Sequence, residues 1–193
     1  MHRYVTDFIL DIVQNSFEAD SNNVELVLRE DDRYLDMTVR DDGKGMSHQM
    51  LEKVLDPYQT DGIKHIKRKV GLGLPFLVQA TRSAGGSFDI QSEVSKGTVV
   101  KCRFDLCNID TPPMGDIPST LLALVSHPAA KGVEIERSLS TSKGSDSYHL
   151  SREKLLEVLG SFTTVATLNL LMEYLQSQEE ALDRFKVDHI PVL

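Results

Sequence analysis

The N-terminal residues alternate between apolar and polar side chains at helical spacing, which predicts an amphipathic helix from about Tyr4 to Glu18. The broad face is apolar or small and consists of Val5, Ile9, Ile12, Val13, Ser16 and Phe17. The opposite, narrower stripe is polar and consists of Asp7, Asp11, Gln14, Asn15 and Glu18. Because Asp11 and Asn15 are four residues apart, their side chains project side by side. Taken alone, such a stripe is typical of the solvated face of an ordinary amphipathic helix.

Alternation with the period of a β-strand predicts two hairpins in the first half of the chain. The first hairpin pairs residues 24–28 with residues 35–40, and the second pairs residues 87–94 with residues 98–106. Each pair is joined by a short polar turn, as a hairpin requires.

Two helices are predicted between these hairpins. Ser47 is a suitable N-cap for a short helix, which ends before Pro57. Pro75 and Gly85 suit the first turn and the C-terminal cap of a second, apolar helix. Residues 58–69 have no clear period and end in a basic run, so we predict a loop there.

Beyond about residue 108 the pattern is less regular and predicts a second, smaller α+β region. Pro112 and Pro113 indicate a linker over residues 108–118. The later elements are a helix over 119–125, strands over 133–139 and 146–150, a helix after Ser151 and a helix over 164–182. We therefore predict an α+β fold with one region at residues 1–108 and another at residues 109–193.

Composition narrows the classes of function. The chain has 193 residues, with 21 basic and 29 acidic side chains and a net charge of -8, which disfavours sequence-independent binding to nucleic acid. The spacing of Cys102 and Cys107 matches neither a redox nor a zinc motif, so we expect free thiols in a reducing compartment. We find no apolar run of membrane-spanning length and no secretory signal, and therefore predict a cytoplasmic protein without membrane insertion.

Four short segments call for a common explanation. They are the polar stripe with Asp11 and Asn15, the strand end Asp41-x-Gly43-x-Gly45-Met46, the helix start Gly71-Leu72-Gly73-Leu74, and the hairpin turn Lys96-Gly97-Thr98. A site for a nucleotide needs such groups. Glycines at a helix start let backbone N–H groups approach phosphates.

The polar side chains of these segments suit the remaining parts of a nucleotide. Magnesium prefers hard oxygen ligands and keeps several waters, so the Asn15 carboxamide can suffice from the protein side. The Asp41 carboxylate can accept a hydrogen bond from the amine of adenine. Hydrolysis needs a carboxylate that orients a water, and this role is open to Asp11.

The glycines do not match the two commoner nucleotide-binding templates. The chain has no G-x-x-x-x-G-K-[ST] sequence, so a P-loop is excluded. Gly71-x-Gly73 is followed by Leu74 and Pro75 and never completes G-x-G-x-x-G.

In their order and spacing, the four segments resemble the motifs of the GHKL ATPases with the Bergerat fold. That family includes the ATPase domains of gyrase, Hsp90 and MutL and the ATP-binding domains of histidine kinases. LDIVQNSFEAD resembles its N box, DDGKGM its G1 box, VGLGLPF its G2 box and KGT its last conserved turn. The resemblance covers Thr6 to about Leu106 and implies an α/β sandwich, with a mixed, mainly antiparallel sheet covered by helices on one face. The whole layout also resembles stand-alone bacterial ATP-binding proteins.

The resemblance implies a role for each matching residue. Asn15 would bind magnesium, Asp41 the adenine amine, and Thr98 the adenine through a water. Gly43, Gly45 and Met46 would pass close to the base. The phosphates would contact the basic residue Lys69 and the helix start formed by Gly71, Leu72, Gly73 and Leu74. Residues 58–70 would form the lid over ATP.

One departure concerns catalysis. Where the family's ATPases have glutamate four residues before the asparagine, this chain has Asp11, which is shorter by one methylene. A displacement of about 1 Å in a catalytic group can cost roughly a hundredfold in rate. We therefore expect Mg-ATP binding with weak hydrolysis, and a lid that signals the nucleotide state to a protein partner.

Two other functions stay open at this point. One alternative is a protein kinase acting in trans, like the family's serine-kinase anti-sigma factors or a detached ATP-binding domain. Because the chain begins at the N-box-like helix, we do not expect a complete histidine kinase. The other alternative is a non-catalytic interaction module. Self-association through the C-terminal helices also stays open.

Overall fold

The computed structural model describes residues 2–55 and 73–187, which form six helices and six strands. In chain order these elements are α1 (Val5–Glu18), β1 (Asn23–Asp31), β2 (Tyr34–Asp41), α2 (His48–Leu55), α3 (Gly73–Ser83), β3 (Ser87–Glu93), β4 (Gly97–Asp105), α4 (Ile117–Val125), β5 (Gly132–Thr141), β6 (Gly144–Ser151), α5 (Arg152–Leu159) and α6 (Val165–Asp183).

The strands form one open sheet in the order β3-β4-β2-β1-β5-β6. All neighbouring strands are antiparallel except β1 and β5, which are parallel. Both predicted hairpins are present: Leu26 is paired with Val39 in the first, and Ile90 with Val100 in the second. The sheet is therefore mixed and mainly antiparallel.

Helix α1 lies with its apolar face on this sheet. All the residues predicted for the broad face are buried, together with Thr6 and Phe8. The Asp7 carboxylate accepts hydrogen bonds from the backbone N–H groups of Arg3 and Tyr4 at 2.7 and 3.0 Å, which fixes the start of the helix. On the polar stripe, Asp7 and Asp11 are half-buried, whereas Asn15 is exposed.

The two faces of the sheet differ in chemistry, as strand alternation requires. Leu26, Met37 and Phe104 are fully buried on the face that the helices cover. The opposite face carries charged side chains, such as Arg103, which donates two hydrogen bonds to the Asp36 carboxylate at 2.7 and 2.8 Å. These findings give an α+β sandwich whose sheet is covered by helices on one face.

Residues after 108 extend the same sheet. β5 runs parallel to β1 through paired positions from Asn23–Gly132 to Asp31–Ser140. Without β5, the N–H and C=O groups along that side of β1 would form an unpaired edge. The division into functional regions at residues 1–108 and 109–193 stays a prediction.

A buried ionic cluster crosses the boundary between these regions. Arg137 of β5 is fully buried and donates a hydrogen bond to Glu30 of β1 at 2.5 Å. Its Nε lies 3.6 Å from the carboxylate of Glu179 on α6, which also accepts a 2.5 Å hydrogen bond from the Tyr148 hydroxyl. A buried cation of this kind is tolerated because carboxylates surround it.

The predicted linker has a structural role. The carbonyl oxygens of Pro113 and Met114 accept hydrogen bonds from the N–H groups of Val5 and Thr6 at 2.9 and 3.0 Å. The first N–H groups of a helix have no partner within the helix itself. The linker therefore satisfies the first turn of α1, the helix that carries Asp11 and Asn15.

Both cysteines are free thiols. Burial raises the pKa of the Cys102 thiol well above its usual value, so this side chain stays protonated and acts as an apolar group. Across residues 2–55 and 73–187, the structure contains no helix with the length and apolar character needed to cross a bilayer.

Candidate functional site

The end of β2 places a buried carboxylate in contact with α1 and β4. Asp41 is the last residue of β2 and is 8% exposed. Its Oδ2 accepts a hydrogen bond from the Ser16 hydroxyl at 2.8 Å, and its Oδ1 accepts from the N–H groups of Gly43 and Thr98 at 3.0 and 3.2 Å. An ionised carboxylate has about four acceptor positions, so one remains for an additional donor such as an amine.

Asp41 belongs to a row of polar residues that crosses three strands. Thr98 of β4 is paired directly with Asp41 on one side and with Ser92 of β3 on the other. The hydroxyl oxygens of Ser92 and Thr98 are 2.9 Å apart, and the Met46 N–H donates to the Ser92 oxygen at 2.9 Å. Strand register and the hydrogen bond to Ser92 thus bring Asp41, Thr98 and Met46 close together.

Sequence reasoning missed Ser16 and Ser92. Ser16 was assigned only to the small positions of the helix face, although it directly follows Asn15 in the motif. Ser92 lies at the position of β3 that a hairpin with a turn at residues 94–96 places opposite Thr98. Counting the register back from Lys96-Gly97-Thr98 is the signal that would have found it.

The glycines of the strand-end motif are required by close packing of the backbone. Gly43 is buried, and a Cβ there would lie 2.8 Å from the carbonyl oxygen of Ala19. Gly45 has a φ of 60°, and a Cβ there would collide with the carbonyl group of Glu93. These residues hold the segment after β2 against α1 and the β3–β4 turn, which forms a wall without side chains beside Asp41.

Asp11 lies in the middle of α1, against the start of α3. A Cβ on Gly73, the first residue of α3, would collide with the Asp11 carboxylate. Position 73 therefore has to be glycine for Asp11 to keep this position. The first N–H groups of a helix attract anions, so the start of α3 is a suitable place for phosphate oxygens.

Asn15 lies one turn after Asp11 and is exposed. The carboxamide oxygen is the kind of hard donor that magnesium accepts, and magnesium keeps most of its waters and binds phosphates as well. Within the described residues, no group of three or more His, Cys, Asp or Glu side chains is placed to bind a metal. The donor set thus fits a magnesium ion that arrives with a nucleotide, and does not fit a metal held by the protein alone.

Several predicted site residues cannot be placed. Lys69, Gly71, Leu72 and the predicted lid over residues 58–70 lie outside the described residues. Leu74 is described, is half-buried and packs against the hydrophobic core.

Asp42, the neighbour of Asp41 in the strand-end motif, stabilises the backbone that follows β2. Asp42 accepts hydrogen bonds from the N–H groups of Asn22 and Asn23 at 2.7 and 2.9 Å. Burial opposes ionisation of Asp42, but these hydrogen bonds outweigh it and hold the pKa below its usual value. The ionised side chain ties the segment after β2 to the start of β1.

Spacing along α1 relates the two ends of the site. Ser16, which contacts Asp41, follows Asp11 by five residues, and this corresponds to about 7.5 Å along the helix axis. One end offers a buried acceptor beside glycines, and the other offers a carboxylate beside a helix start. Asn15 lies between them. This arrangement suits an elongated ligand with a hydrogen-bonding base at one end and phosphates at the other.

Comparison with curated proteins finds sensor kinases. The chain is 26% identical over 97 residues to sporulation kinase A of Bacillus subtilis, which is 49% of this chain and 15% of that kinase. It is 31% identical over 104 residues to the histidine protein kinase DivJ of Caulobacter vibrioides, which is 52% of this chain and 17% of that kinase. The chain thus covers less than a fifth of the length of either kinase.

Solved structures with a similar arrangement include an ATPase domain and the catalytic domain of a histidine kinase. The MutL ATPase domain of Aquifex aeolicus, solved with ADP, aligns over 83% of this chain and 70% of its own, with a TM-score of 0.43 and 15% identity. The catalytic domain of the histidine kinase ThkA aligns over 55% of this chain and 65% of its own, with a TM-score of 0.38 and 17% identity.

One family model matches more than half of the chain and thereby shows the family. Residues 3–108 match the model of the histidine kinase-, DNA gyrase B- and HSP90-like ATPases. These residues run from the start of α1 past the end of β4 and contain all four motifs. The chain therefore belongs to the family of histidine kinase-, DNA gyrase B- and HSP90-like ATPases.

Proposed function

We propose that this protein binds Mg-ATP, hydrolyses it slowly and signals its nucleotide state to a protein partner. The observation that supports the proposal most is the environment of Asp41. Its carboxylate is buried, is fixed by donors from α1, the strand-end motif and β4, and has acceptor capacity left for the adenine amine. Guanine and hypoxanthine carry a carbonyl where adenine has that amine, so the same carboxylate selects against them.

Metal and phosphates would be bound at the other end of the site. Asn15 would donate its carboxamide oxygen to magnesium, and the ion would supply charge neutralisation for the phosphates. Gly73 and the N–H groups at the start of α3 would receive phosphate oxygens, together with the unplaced residues Lys69, Gly71 and Leu72.

Hydrolysis would depend on Asp11. Its carboxylate lies beside the proposed phosphate position, where it can orient a water and accept its proton. Because aspartate is shorter than glutamate, we expect turnover that is slow compared with binding. The proposed partner would read the lid over residues 58–70, and a cytoplasmic location would suit such a role.

Calorimetry tests the binding. Titration of the protein with Mg-ATP should give saturable heat, and Asn15→Ala should weaken binding in the presence of magnesium. Gln14→Ala is the matched control, since Gln14 is the exposed neighbour on the same helix. If the wild-type protein gives no heat above buffer, the proposal is wrong. Thermal stability gives a second test, because a ligand at a hundred times its Kd should add about 2.7 kcal/mol.

A pull-down tests the signalling. Tagged protein is incubated with cell extract in Mg-ATP, in Mg-ADP and without nucleotide, and the bound proteins are compared. A partner retained in only one of these states supports the proposal. A partner retained equally in all three contradicts nucleotide signalling but leaves the binding proposal intact.

The similarity to kinases favours a second function, phosphoryl transfer to another protein. Sporulation kinase A and DivJ are kinases, although this chain covers less than a fifth of the length of each. Incubation with [γ-³²P]ATP and candidate partners tests this function, with Asp41→Asn as the binding-deficient control. Label on a partner that the control fails to produce would establish transfer, and its absence from every candidate would count against it.

The third function, a non-catalytic interaction module, has less support. The glycines at positions 43 and 45 are required by backbone contacts, whereas no contact among the residues that the structure describes requires an asparagine at position 15. Unchanged thermal stability in saturating Mg-ATP would favour this third function.

A further inference from the structure

A histidine outside the family motifs contacts the proposed catalytic carboxylate. The Nε2 atom of His2 lies 2.7 Å from Oδ2 of Asp11. His2 precedes α1 and also precedes residues 3–108, which match the family model. The contact therefore involves a residue that lies outside the match to the family model.

The ring of His2 is fixed by packing as well as by this hydrogen bond. It stacks on the ring of Phe8, with centroids 4.7 Å apart and an interplanar angle of 8°. The ring of Phe76, on α3, approaches at 5.9 Å in a tilted geometry. The His2 side chain is only 16% exposed. Helices α1 and α3 thus hold the imidazole between them.

The hydrogen-bonding groups determine the direction of the bond. Within the described residues, Nδ1 of His2 is buried and has no hydrogen-bond partner, so Nε2 is the nitrogen available to Asp11. An ionised carboxylate only accepts hydrogen bonds, so Nε2–H is the donor whenever Asp11 is charged. Oδ2 of Asp11 receives this bond at the place where it also touches Gly73.

We propose that His2 is a positioning residue for Asp11. By holding Oδ2, it fixes the carboxylate beside the start of α3 and leaves Oδ1 directed at the attacking water. The inference rests on the proposed function, in which Asp11 orients that water. It also provides a reason why an aspartate serves here: a neighbour from outside the helix restricts its rotamers, and orientation partly offsets the missing methylene.

His2 would assist the hydrolysis of ATP by a water molecule. The water oxygen forms a bond to the γ-phosphorus of ATP while the bond from that phosphorus to the ADP oxygen breaks. The water proton passes to Oδ1 of Asp11, and the products are ADP and inorganic phosphate. His2 keeps its Nε2 proton throughout and exchanges none with the substrate.

The geometry argues against His2 as a phosphate acceptor. Attack on phosphorus requires a nitrogen lone pair directed at the phosphate. Nε2 carries the proton that it donates to Asp11 and so has no free lone pair, and Nδ1 is buried against the helices. Phosphorylation of His2 is therefore an outcome that would overturn the inference.

Two substitutions separate the donor from the ring. His2→Phe keeps an aromatic ring for stacking on Phe8 and removes the donor. His2→Gln keeps an N–H donor of similar reach and removes the ring. His127→Phe is the matched control, because His127 is also stacked on a phenylalanine, Phe17, with centroids 4.9 Å apart, but lies away from Asp11. An affinity tag is placed at the C-terminus so that the residues around His2 are unchanged.

The experiment measures kcat and KM for ATP hydrolysis, and Kd for Mg-ATP by calorimetry. We expect His2→Phe to lower kcat about tenfold to a hundredfold, with Kd changed less than about twofold, and His2→Gln to restore part of kcat. In an Asp11→Ala background, His2→Phe should have no further effect, because the two residues act as a unit.

Each contrary result has a distinct meaning. An unchanged kcat in His2→Phe overturns the inference, and so does a further loss in the Asp11→Ala background or acid-labile phosphate on His2. Wild-type protein that binds ATP without any turnover also overturns it, while the binding proposal stands. Wild-type protein that gives no binding heat contradicts the proposed function itself.

Discussion

The hydroxyl of Ser16 donates a hydrogen bond of 2.8 Å to Asp41, and this contact joins helix α1 to the end of β2. Asp11 and Asn15 lie on the same helix, five residues and one residue before Ser16. The position of the proposed adenine acceptor is therefore coupled to the positions of the proposed metal ligand and catalytic acid. A shift of α1 along its axis would disturb all three together.

Asp41→Asn should abolish the preference for adenine. The side chains have the same shape, but the amide offers one acceptor oxygen, which the N–H groups of Gly43 and Thr98 already use. We expect ATP affinity to fall by about 1.5–3 kcal/mol, the usual contribution of a hydrogen bond to a charged group. ITP, which lacks the amine, should bind the wild type weakly and lose little affinity in the variant.

Competition between ATP and ITP measures this effect. Asp42→Asn is the control, since Asp42 accepts its hydrogen bonds from the start of β1 and has no proposed contact with the base. If the variant at position 41 still prefers ATP over ITP, Asp41 is not the adenine acceptor.

Gly73→Ala should displace the Asp11 carboxylate. The new Cβ would occupy the place of Oδ2, so the side chain would have to rotate away and lose its hydrogen bond to His2. We expect a loss of about 1 kcal/mol in the free energy of unfolding, together with slower ATP turnover.

A double variant tests whether the collision is the cause. In Asp11→Ala, the substitution Gly73→Ala should have a smaller effect on stability, because the carboxylate is gone and only the Cβ of residue 11, at 3.2 Å, remains close to the new Cβ. Urea denaturation of the four proteins gives the coupling energy. Equal effects in both backgrounds would show that Gly73 is needed for another reason.

Arg137→Ala should be strongly destabilising. It leaves Glu30, which is 8% exposed, as an uncompensated buried charge between β1 and β5. Loss of one partner of a buried pair typically costs about 3–5 kcal/mol. Arg29→Ala removes an exposed pair with Glu136 on the same two strands and should cost about 1 kcal/mol or less. Urea denaturation measures both, and similar losses would contradict a special role for the buried cluster.

Asp116 should contribute a pH-dependent part of the stability. It caps α4, where the Ser119 side chain and N–H donate hydrogen bonds to its carboxylate and hold the pKa of Asp116 below its usual value. A carboxyl with a lowered folded-state pKa stabilises above its unfolded pKa, which is about 3.9. This contribution is lost as pH falls through the lower folded-state pKa.

Two substitutions isolate that contribution. Asp116→Ala should lose about 0.5–2 kcal/mol at pH 7, and the difference from wild type should shrink in acid. Asp116→Asn keeps a capping side chain that does not titrate, so it should be close to wild type at pH 7. Urea denaturation at pH 7 and near pH 3 measures both. A gap between Asp116→Ala and wild type that is equally large at the two pH values would contradict the assignment.

Much of the fold follows from local patterns. The buried face of α1, both hairpins and the helix that begins near Pro75 are visible as apolar spacing with caps and turns, since these depend on residues close in sequence. The element boundaries shifted by a few residues where neighbours intervened. α3, for example, begins at Gly73, two residues before the Pro75 that the pattern indicates for its first turn.

Residues distant in sequence supplied what the patterns could not. The sequence predicted a separate α+β region after residue 108, but not that β5 would lie beside β1 in the same sheet. The apolar pattern of a strand that is buried on one face does not specify which strand lies next to it. The order of the strands therefore depends on the packing of the whole chain.

The sequence by itself determined the family and the helix on which Asp11 lies, and it predicted Asp41, Asn15 and the paired glycines as site residues, because short motifs and periodicity are local properties. Only the tertiary structure decided what surrounds these residues. It placed Ser16 and Thr98 beside Asp41, and it placed both Gly73 and His2 beside Oδ2 of Asp11. Hydrogen bonds and collisions between atoms depend on how separate elements pack, and no spacing along the chain encodes that distance.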